Sequence, residues 1–190
     1  MIDRLVVASK NPDKIAEIES VLAEEGVVGR IVWGLDWPDV DETEDTLEGN
    51  ALLKARTVAS ATGLASMADD TGLEVAALRG APGVRTGRYA GPQATYADNV
   101  ARLLDEMTGV DDRSAVFRTV VALVSPGGTP RVVEGRLDGT ITHRPRGDTG
   151  FGYDPVFEVG GRTLAEMGPR EKQRISHRAQ AIRALAAALR

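Results

Sequence analysis

The order of apolar and polar positions near the start of the chain predicts a strand followed by an amphipathic helix. Residues 5–8 form a short apolar run that is typical of a buried strand. Asn11 is suited to cap a helix, and Pro12 is suited to the first helical position. The helix is predicted over residues 12–25, because apolar residues recur there at helical spacing and Gly26 supplies a stop signal.

The same kind of pattern continues to the end of the chain and predicts a mixed α/β fold. Capping residues mark three further helices: Asp45 with Glu48, Thr95 with Asp98, and Ser176 alone. The predicted elements, in chain order, are a strand over residues 27–33, a helix over 48–61, a helix that begins near 95, an antiparallel hairpin of strands 115–124 and 131–141, and a helix from 176 towards 190. A single unit is expected, because no linker or repeat divides the chain.

Composition narrows the class of protein and the kind of partner. With 42% hydrophobic and 27% charged residues, the chain is typical of a soluble globular protein. A net charge of −5 argues against a nucleic-acid partner, because polynucleotide binding usually requires a clustered basic excess. The lack of cysteine and of any long apolar run predicts a cytoplasmic protein with no membrane partner. The net charge does not argue against a small anionic ligand that is bound by a few local cations.

The central stretch, residues 66–91, contains an adjacent pair of acids, Asp69 and Asp70. Neighbouring carboxylates repel each other, so such a pair suggests a bound cation or a proton-transfer task. Short apolar residues precede the pair and Thr71 with a glycine follows it, which predicts that the acids lie where a buried strand ends. An acid from the loop over residues 35–48 would complete a Mg²⁺ site. For this stretch alone, a solvated turn is the favoured alternative.

Two lysines are candidate phosphate-binding cations. The segment from Ser9 to Lys14 combines a hydroxyl group, free backbone N–H groups and an ammonium group at the start of a helix, as an anion site requires. Lys54 lies near the beginning of the second predicted helix. A plain capped helix is an equally good interpretation of the first segment, because the glycine-rich GxxxxGK[ST] pattern is absent.

Two segments near the C-terminus are candidates for binding a flat ligand. Residues 150–155 place two aromatic residues and Asp154 beside glycines, where a ring can stack and a carboxylate can accept a hydrogen bond. A core aromatic cluster is the alternative for this segment. At the start of the last helix, His177 and Arg178 are opposed by the helix dipole, which favours ligand-facing donors; salt bridges to surface acids are the alternative.

Five motifs, met in order over nearly the whole chain, resemble the Ham1/inosine triphosphate pyrophosphatase family. They are Ser9-x-Asn11-x-x-Lys14-x-x-Glu17, the segment from Glu42 to Ala55, ADDTGL with APGVRTGRYAG, FGYDPVF, and EKQRISHRA. Any one of them is weakly specific, whereas five in register are specific. The chain departs from the family pattern at Lys10, Gly49 and Gln173, and none of these departures removes a proposed ligand.

The resemblance implies a mixed α/β fold with a twisted central sheet flanked by helices, two lobes around an active-site cleft, and a homodimer. It implies Mg²⁺-dependent hydrolysis of inosine, deoxyinosine and xanthosine triphosphates to the monophosphate and pyrophosphate. By the same resemblance, Glu42 and Asp70 bind the metal, Asp70 is also the catalytic proton acceptor, and Asp69 supports the metal through water. The implied substrate-binding residues are Ser9, Lys10, Asn11, Pro12, Asp13, Lys14, Lys54, Thr71, Phe151, Gly152, Tyr153, Asp154, Lys172, His177 and Arg178.

Two other functions remain as alternatives. A non-catalytic nucleotide-binding protein would keep the lysines and a base pocket but would not need metal carboxylates, so Glu42, Asp69 and Asp70 argue against it. A pyrophosphatase for another modified nucleotide, such as a modified pyrimidine triphosphate, would keep the acids and change the base pocket. Phe151, His177 and Arg178 argue against that function.

Overall fold

The computed structural model describes all 190 residues, Met1–Arg190, and contains one eight-stranded sheet and five α-helices. The strands are β1 (Ile2–Val7), β2 (Val28–Ile31), β3 (Ala65–Val75), β4 (Pro82–Gly83), β5 (Ser114–Val124), β6 (Arg131–Ile141), β7 (Phe157–Val159) and β8 (Arg162–Thr163). The helices are α1 (Pro12–Glu25), α2 (Leu47–Thr62), α3 (Tyr96–Glu106), α4 (Pro169–Ile175) and α5 (His177–Leu189).

The sheet is mixed, which confirms the predicted α/β class. Its strands follow the order β2-β1-β3-β5-β6-β7-β8, and β4 also pairs with β3. β1 is parallel to both β2 and β3, whereas β4 is antiparallel to β3 and β7 is antiparallel to β6 and β8. The parallel pairs are connected through helices α1 and α2, as parallel strands require a long crossover.

The chain folds into two compact units. The first unit contains Met1–Asp70, Thr119–Gly135 and His177–Arg190, and the second unit contains Thr71–Arg118 and Arg136–Ser176. Strands β3, β5 and β6 each contribute residues to both units. The predicted arrangement of two lobes around a cleft stays a prediction.

Alternation along the strands gives the first unit a core between its sheet and helices α1 and α5. Alternate residues of β1 and β3, such as Leu5, Val7 and Met67, belong to one buried apolar cluster with α1 and α5. The intervening residues, such as Val6 and Ala68, point to the opposite face of the sheet, because strand side chains alternate. The helical members of the cluster are Ile18, Val21, Leu22, Ala179, Ala181, Ile182, Leu185 and Ala186.

The second unit has its own apolar core. Val100 and Leu103 of α3 pack there with residues of β5, β6 and β7, and the rings of Phe117 and Phe157 have centroids 4.5 Å apart. α3 begins at the predicted capping box. Thr95 Oγ1 accepts a hydrogen bond from the Asp98 backbone N–H, and the Asp98 carboxylate accepts one from the Thr95 backbone N–H.

The boundaries of α1 confirm the sequence prediction, while β2 is shorter than predicted. Asn11 caps α1, Pro12 occupies its first position, and Gly26 ends it in the left-handed conformation that glycine adopts easily. β2 ends at residue 31, and Trp33, which was predicted to lie in this strand, is exposed. No helix of the protein combines the length and the apolar character that crossing a membrane would need.

One predicted helix start is corrected, and one helix was missed. The cap of α2 is Thr46 rather than Asp45, because Thr46 Oγ1 accepts a hydrogen bond from the Gly49 backbone N–H at 3.0 Å. α4 was not predicted; it is a short helix that ends at Ile175, and Ser176 separates it from α5, which begins at His177 directly after the predicted cap. Two helices with one residue between them look like a single helical segment in the sequence pattern.

Candidate active site

Asp69 and Asp70 lie inside β3, so the prediction that they end a strand is wrong. β3 continues past them because its second half pairs with β4. It is the neighbouring strand that ends: β1 finishes at Val7, in register with Met67. The two acids therefore lie just beyond the carboxyl end of β1, the position at which α/β sheets commonly carry sites.

Asp69 is buried between two cations. Lys14 Nζ lies 3.1 Å from Asp69 Oδ2, and Arg178 Nε donates to the same oxygen at 3.2 Å. Arg178 also pairs with Glu17 on α1. Burial acts to raise the pKa of Asp69, but Lys14, Arg178 and Lys54 outweigh it and hold that pKa well below its usual range. Asp69 is therefore an anion at any physiological pH.

Asp70 is held by side chains of α2. Lys54 Nζ lies 3.1 Å from Asp70 Oδ1 and 2.7 Å from Glu42 Oε1. Asn50 Nδ2 donates to the other oxygen of Asp70 at 3.3 Å. Burial is the largest influence on this carboxyl group; Lys54 opposes it and Glu42 adds to it, so that the pKa of Asp70 is raised. A raised pKa suits a carboxylate that has to accept a proton.

Glu42 and Asp70 are the residues that fit a divalent cation. Their oxygens both lie within hydrogen-bonding distance of the Lys54 ammonium group, so they already share one cation. No group of three or more His, Asp or Glu side chains forms a complete metal site. Mg²⁺ commonly takes only one or two protein carboxylates and completes its shell with phosphate oxygens and water. The donors thus fit Mg²⁺ that arrives with a phosphate ligand.

The loop before α1 is organised by its helix cap. Asn11 Oδ1 accepts hydrogen bonds from the backbone N–H groups of Asp13 at 2.9 Å and Lys14 at 3.2 Å. Ser9 Oγ accepts from the Asn11 backbone N–H at 3.2 Å. The cap therefore uses these N–H groups, which corrects the prediction of free backbone donors at this helix start. The ammonium group of Lys14 is the cation that the loop places beside the acids.

Lys10 and Pro12 complete this loop at its outer side. Pro12 lacks a backbone N–H group and begins the helix. Lys10 pairs with Asp39 of the acidic loop, and both side chains are exposed. An exposed pair of this kind is weak, because solvent screens the two charges.

The first turn of α5 is buried in the first unit. Thr119 Oγ1 and His177 Nδ1 are 2.6 Å apart and form a hydrogen bond. Arg178 pairs with Glu17 and Asp69. For Arg178 this agrees with the alternative in which the cation pairs with acids, except that Asp69 is buried rather than on the surface; His177 contacts the Thr119 hydroxyl. The role of His177 and Arg178 as donors to a ligand stays a prediction.

A second cluster of candidate residues lies within the second unit. Lys172 Nζ is 2.5 Å from Asp154 Oδ2 and 4.8 Å from the centre of the Phe151 ring. The Phe151 backbone N–H donates to the same oxygen of Asp154 at 2.9 Å. Asp154 and Lys172 are buried, whereas Phe151 is only partly buried and packs against the ring of Tyr96. The cluster thus offers a ring face beside a fixed cation.

The remaining predicted residues of the second unit are Tyr153, Gly152 and Thr71. Tyr153 is buried in the core, and its hydroxyl donates to the carbonyl of Thr86 at 3.0 Å. This is the core arrangement that the alternative interpretation predicted. Gly152 has a φ of 62°, which a residue without a side chain adopts easily, and it turns the chain. Thr71 is half-buried on β3.

Sequence reasoning missed three side chains that hold the candidate residues: Asn50, Glu17 and Thr119. Asn50 precedes Lys54 by four residues on α2, and this spacing could have indicated that both reach the same strand. Glu17 belongs to the first family motif, but no role was given to it. Thr119 lies far along the chain from its partner, so no local pattern indicates the contact.

The whole chain is similar to known proteins of one family. The sequence model described as the Ham1 family matches residues 5–188. A dITP/XTP pyrophosphatase from Mycolicibacterium paratuberculosis is 48% identical over 194 residues, which cover 97% of this chain and 95% of that protein. The structure of the Staphylococcus aureus Ham1 protein superposes with a TM-score of 0.85 at 34% identity over 98% of both chains. The crystal structure of a nucleoside-triphosphatase, dITP/XTP pyrophosphatase, from Mycobacterium abscessus gives a TM-score of 0.77 at 44% identity, covering 98% of this chain and 100% of the other.

Proposed function

Because this chain belongs to the Ham1 family, we propose that it hydrolyses the non-standard purine nucleotides ITP, dITP and XTP to the nucleoside monophosphate and pyrophosphate. Such an enzyme removes deaminated purines from the nucleotide pool before polymerases use them. The observation that carries the proposal is the pair of lysine–acid bridges on one strand, Lys14 with Asp69 and Lys54 with Asp70.

These bridges suit a ligand that brings negative phosphates and a divalent cation together. Each lysine neutralises a buried acid while no ligand is bound, because an unpaired buried charge is costly. In a complex with a metal–triphosphate, Lys14 and Lys54 would turn to the phosphates, and the acids would keep a positive partner because Glu42 and Asp70 would hold the cation. The buried charges stay balanced in both states.

Mg²⁺ is the proposed metal, with Glu42 and Asp70 as its protein ligands and Asp69 as a support through water. When bound, the metal supplies charge neutralisation on the phosphate oxygens and an ordered water shell. The chain's own contribution is the fixed position of two carboxylates of different elements, an acidic loop and strand β3.

The proposed reaction is an attack of water on the α-phosphorus. A new bond forms from the water oxygen to this phosphorus, the bond to the bridging oxygen of the β-phosphate breaks, and pyrophosphate leaves. The proton of the water passes to the Asp70 carboxylate, whose burial raises its pKa. Residues 9–14 with Lys54 are proposed to hold the triphosphate, and positioning and electrostatics supply most of the rate enhancement.

The proposed base recognition uses hydrogen-bond donors and a ring. Inosine and xanthosine carry a 6-oxo group, and adenosine carries an amino group there. His177 and Arg178 are the proposed donors to this oxygen, so adenosine would leave them unpaired. Phe151 is the proposed stacking surface, and Asp154 holds Lys172 beside it.

Hydrolysis of ITP in H₂¹⁸O tests the bond that the proposal breaks. Attack at the α-phosphorus places one ¹⁸O atom in inosine monophosphate and none in pyrophosphate, which mass spectrometry of both products distinguishes. Formation of inosine diphosphate and phosphate would contradict the proposal.

We further propose that the enzyme is a cytoplasmic homodimer with no nucleic-acid or membrane partner, as the family resemblance implies. Light scattering coupled to size-exclusion chromatography tests the dimer. A mass of twice the 20.2 kDa chain supports the proposal, and a mass of one chain contradicts it.

A further inference from the structure

Asn50 is a fully buried polar side chain to which the proposed reaction gives no role. It lies in the first turn of α2, four residues before Lys54. Buried amides are costly unless all their hydrogen-bonding groups are satisfied, so the partners of this side chain show what it holds in place.

The Asn50 amide joins the acidic loop to Asp70. Its Oδ1 accepts a hydrogen bond from the Glu44 backbone N–H at 3.0 Å, and its Nδ2 donates to the Glu44 carbonyl at 3.2 Å. The same Nδ2 donates to Asp70 Oδ2 at 3.3 Å. The first two bonds fix the backbone of the loop two residues after Glu42, and the third fixes one carboxylate oxygen.

Asn50 and Lys54 divide the contacts to Asp70 between them. Lys54 contacts Oδ1 and bridges to the Glu42 side chain, whereas Asn50 contacts Oδ2 and bridges to the loop backbone. The lysine bridge is exchangeable, because the ammonium group can follow a phosphate. The amide bridge is uncharged and buried, so it stays in place when Lys54 changes partner.

We propose that Asn50 is a positioning residue that fixes the Glu42 loop and the Asp70 carboxylate relative to each other, so that both can bind one divalent cation. This inference rests on the proposed function, from which the assignment of the two acids as metal ligands is taken. Removing a side chain that orients metal-binding carboxylates typically changes metal affinity or activity by about 10–100-fold.

The test compares Asn50→Ala and Asn50→Leu with the parent and with a matched control, Asn99→Ala. Leucine restores most of the lost volume without the hydrogen bonds. Asn99 is also a buried helical amide that fixes a loop: it accepts from the Ala90 backbone N–H at 2.7 Å and donates to the Gly87 carbonyl at 3.2 Å. Both of these contacts are to backbone groups, so Asn99 reports the cost of losing such an amide by itself.

Three quantities are measured for each protein. They are the Mg²⁺ concentration that half-activates ITP hydrolysis, the affinity for Mg²⁺ alone by calorimetry, and hydrogen exchange of residues 42–47. Both Asn50 variants should need at least about tenfold more Mg²⁺ and should exchange faster over this segment. Their KM for ITP at saturating Mg²⁺ should stay within about threefold of the parent. Asn99→Ala should keep the parental Mg²⁺ requirement once the folded fraction is taken into account.

The outcomes separate positioning from packing. A parental Mg²⁺ requirement in Asn50→Leu would show that only volume matters and would overturn the inference, as would an unchanged requirement in both variants. If neither variant folds, Asn50→Ser replaces them, because it keeps a polar group too short to span the loop and Asp70. The same Mg²⁺ shift is expected of it, and its absence would overturn the inference.

Failure of the inference can be told apart from failure of the proposed function. The calorimetric comparison needs no turnover. If the parent hydrolyses none of the purine triphosphates but the Asn50 variants bind Mg²⁺ more weakly than it does, the proposed function is overturned and the inference is kept. A parent that hydrolyses ITP, with variants of unchanged Mg²⁺ dependence, would overturn the inference alone.

Discussion

Asp69 and Asp70 are neighbours on β3, yet each pairs with a lysine of a different helix, Lys14 of α1 and Lys54 of α2. Strand side chains alternate between the two faces of a sheet, so the adjacent carboxylates point away from each other. The pKa of Asp69 is lowered, whereas the pKa of Asp70 is raised. One strand thus carries a permanent anion beside a carboxylate that can accept a proton.

Replacement of Asp70 is expected to abolish turnover and to leave the fold intact. Asp70→Asn keeps the shape of the side chain but removes both a proposed metal ligand and the proposed base. The ITP hydrolysis rate should therefore fall by at least about 100-fold, measured as pyrophosphate release.

Asp138→Asn is the control for this change, because Asp138 is an exposed acid of the second unit that pairs with Arg136. It should retain the parental rate. Circular dichroism and the melting temperature of both variants show whether they are folded. Near-parental activity in a folded Asp70→Asn protein would mean that Asp70 has no catalytic part.

Removal of either Lys14 or Lys54, which are half-buried, is expected to weaken the handling of the triphosphate without regard to the base. Lys14→Ala and Lys54→Ala should each lower kcat/KM, and by similar factors for ITP and XTP, because phosphates are common to both substrates. Lys10→Ala is the comparison, since Lys10 is exposed and pairs only with Asp39 at the surface; its loss should be the smallest of the three. A loss confined to one base would remove the lysines from the phosphate role.

Much of the fold follows from local signals in the sequence. The bounds of α1 and the start of α3 were predicted from single capping residues, because Asn11 and Thr95 satisfy backbone N–H groups that the helix leaves open. The continuation of β3 past Asp70 was not predictable in this way. It depends on pairing with β4, and a strand partner is a property of the tertiary structure.

The sequence predicted which residues belong to the site, but it did not predict how their side chains contact one another. The five motifs identified Asp70 and Lys54, but not that Lys54 bridges to Glu42 or that Asn50 holds the other oxygen. For Arg178, the helix dipole suggested a ligand as partner, and the structure shows pairs with buried Asp69 and half-buried Glu17. Contacts between residues distant in sequence decide these partners, and no local pattern records them.

Loss of Arg178 is expected to reduce both stability and base selectivity. Arg178→Ala leaves Asp69 buried with one direct cation fewer, and breaking a buried pair in this way costs on the order of 3–5 kcal/mol in the free energy of unfolding. Arg183→Ala on the same helix is the matched control, because Arg183 lies 3.7 Å from its acidic partners and is partly exposed. It should cost less than about 1 kcal/mol in urea unfolding.

The selectivity of the folded Arg178→Ala fraction separates two roles. A donor to the 6-oxo group predicts that kcat/KM falls sharply for ITP and little for ATP, which compresses the ITP/ATP ratio. An equal loss for both nucleotides would assign Arg178 to the charge network around Asp69 or to the phosphates, and base choice would then need another donor.

Removal of the Phe151 ring is expected to weaken binding of every purine triphosphate. Base stacking contributes about 1–3 kcal/mol per base in alanine substitutions, so Phe151→Ala should raise KM by about 10–100-fold with a smaller change in kcat. Tyr96→Ala removes only the neighbouring ring, and its effect on KM should be smaller. Steady-state kinetics with ITP and XTP checks both variants, and an unchanged KM in Phe151→Ala would exclude stacking.

The central claim is most directly tested by kcat/KM for pyrophosphate release across ITP, dITP, XTP, GTP, ATP and modified pyrimidine triphosphates, all at saturating Mg²⁺. Two donors that adenosine leaves unpaired predict a preference for ITP, dITP and XTP over ATP of at least about 100-fold, with pyrophosphate as the product. Equal rates on ITP and ATP, a higher rate on a modified pyrimidine triphosphate, or no release from any of these nucleotides would contradict the account.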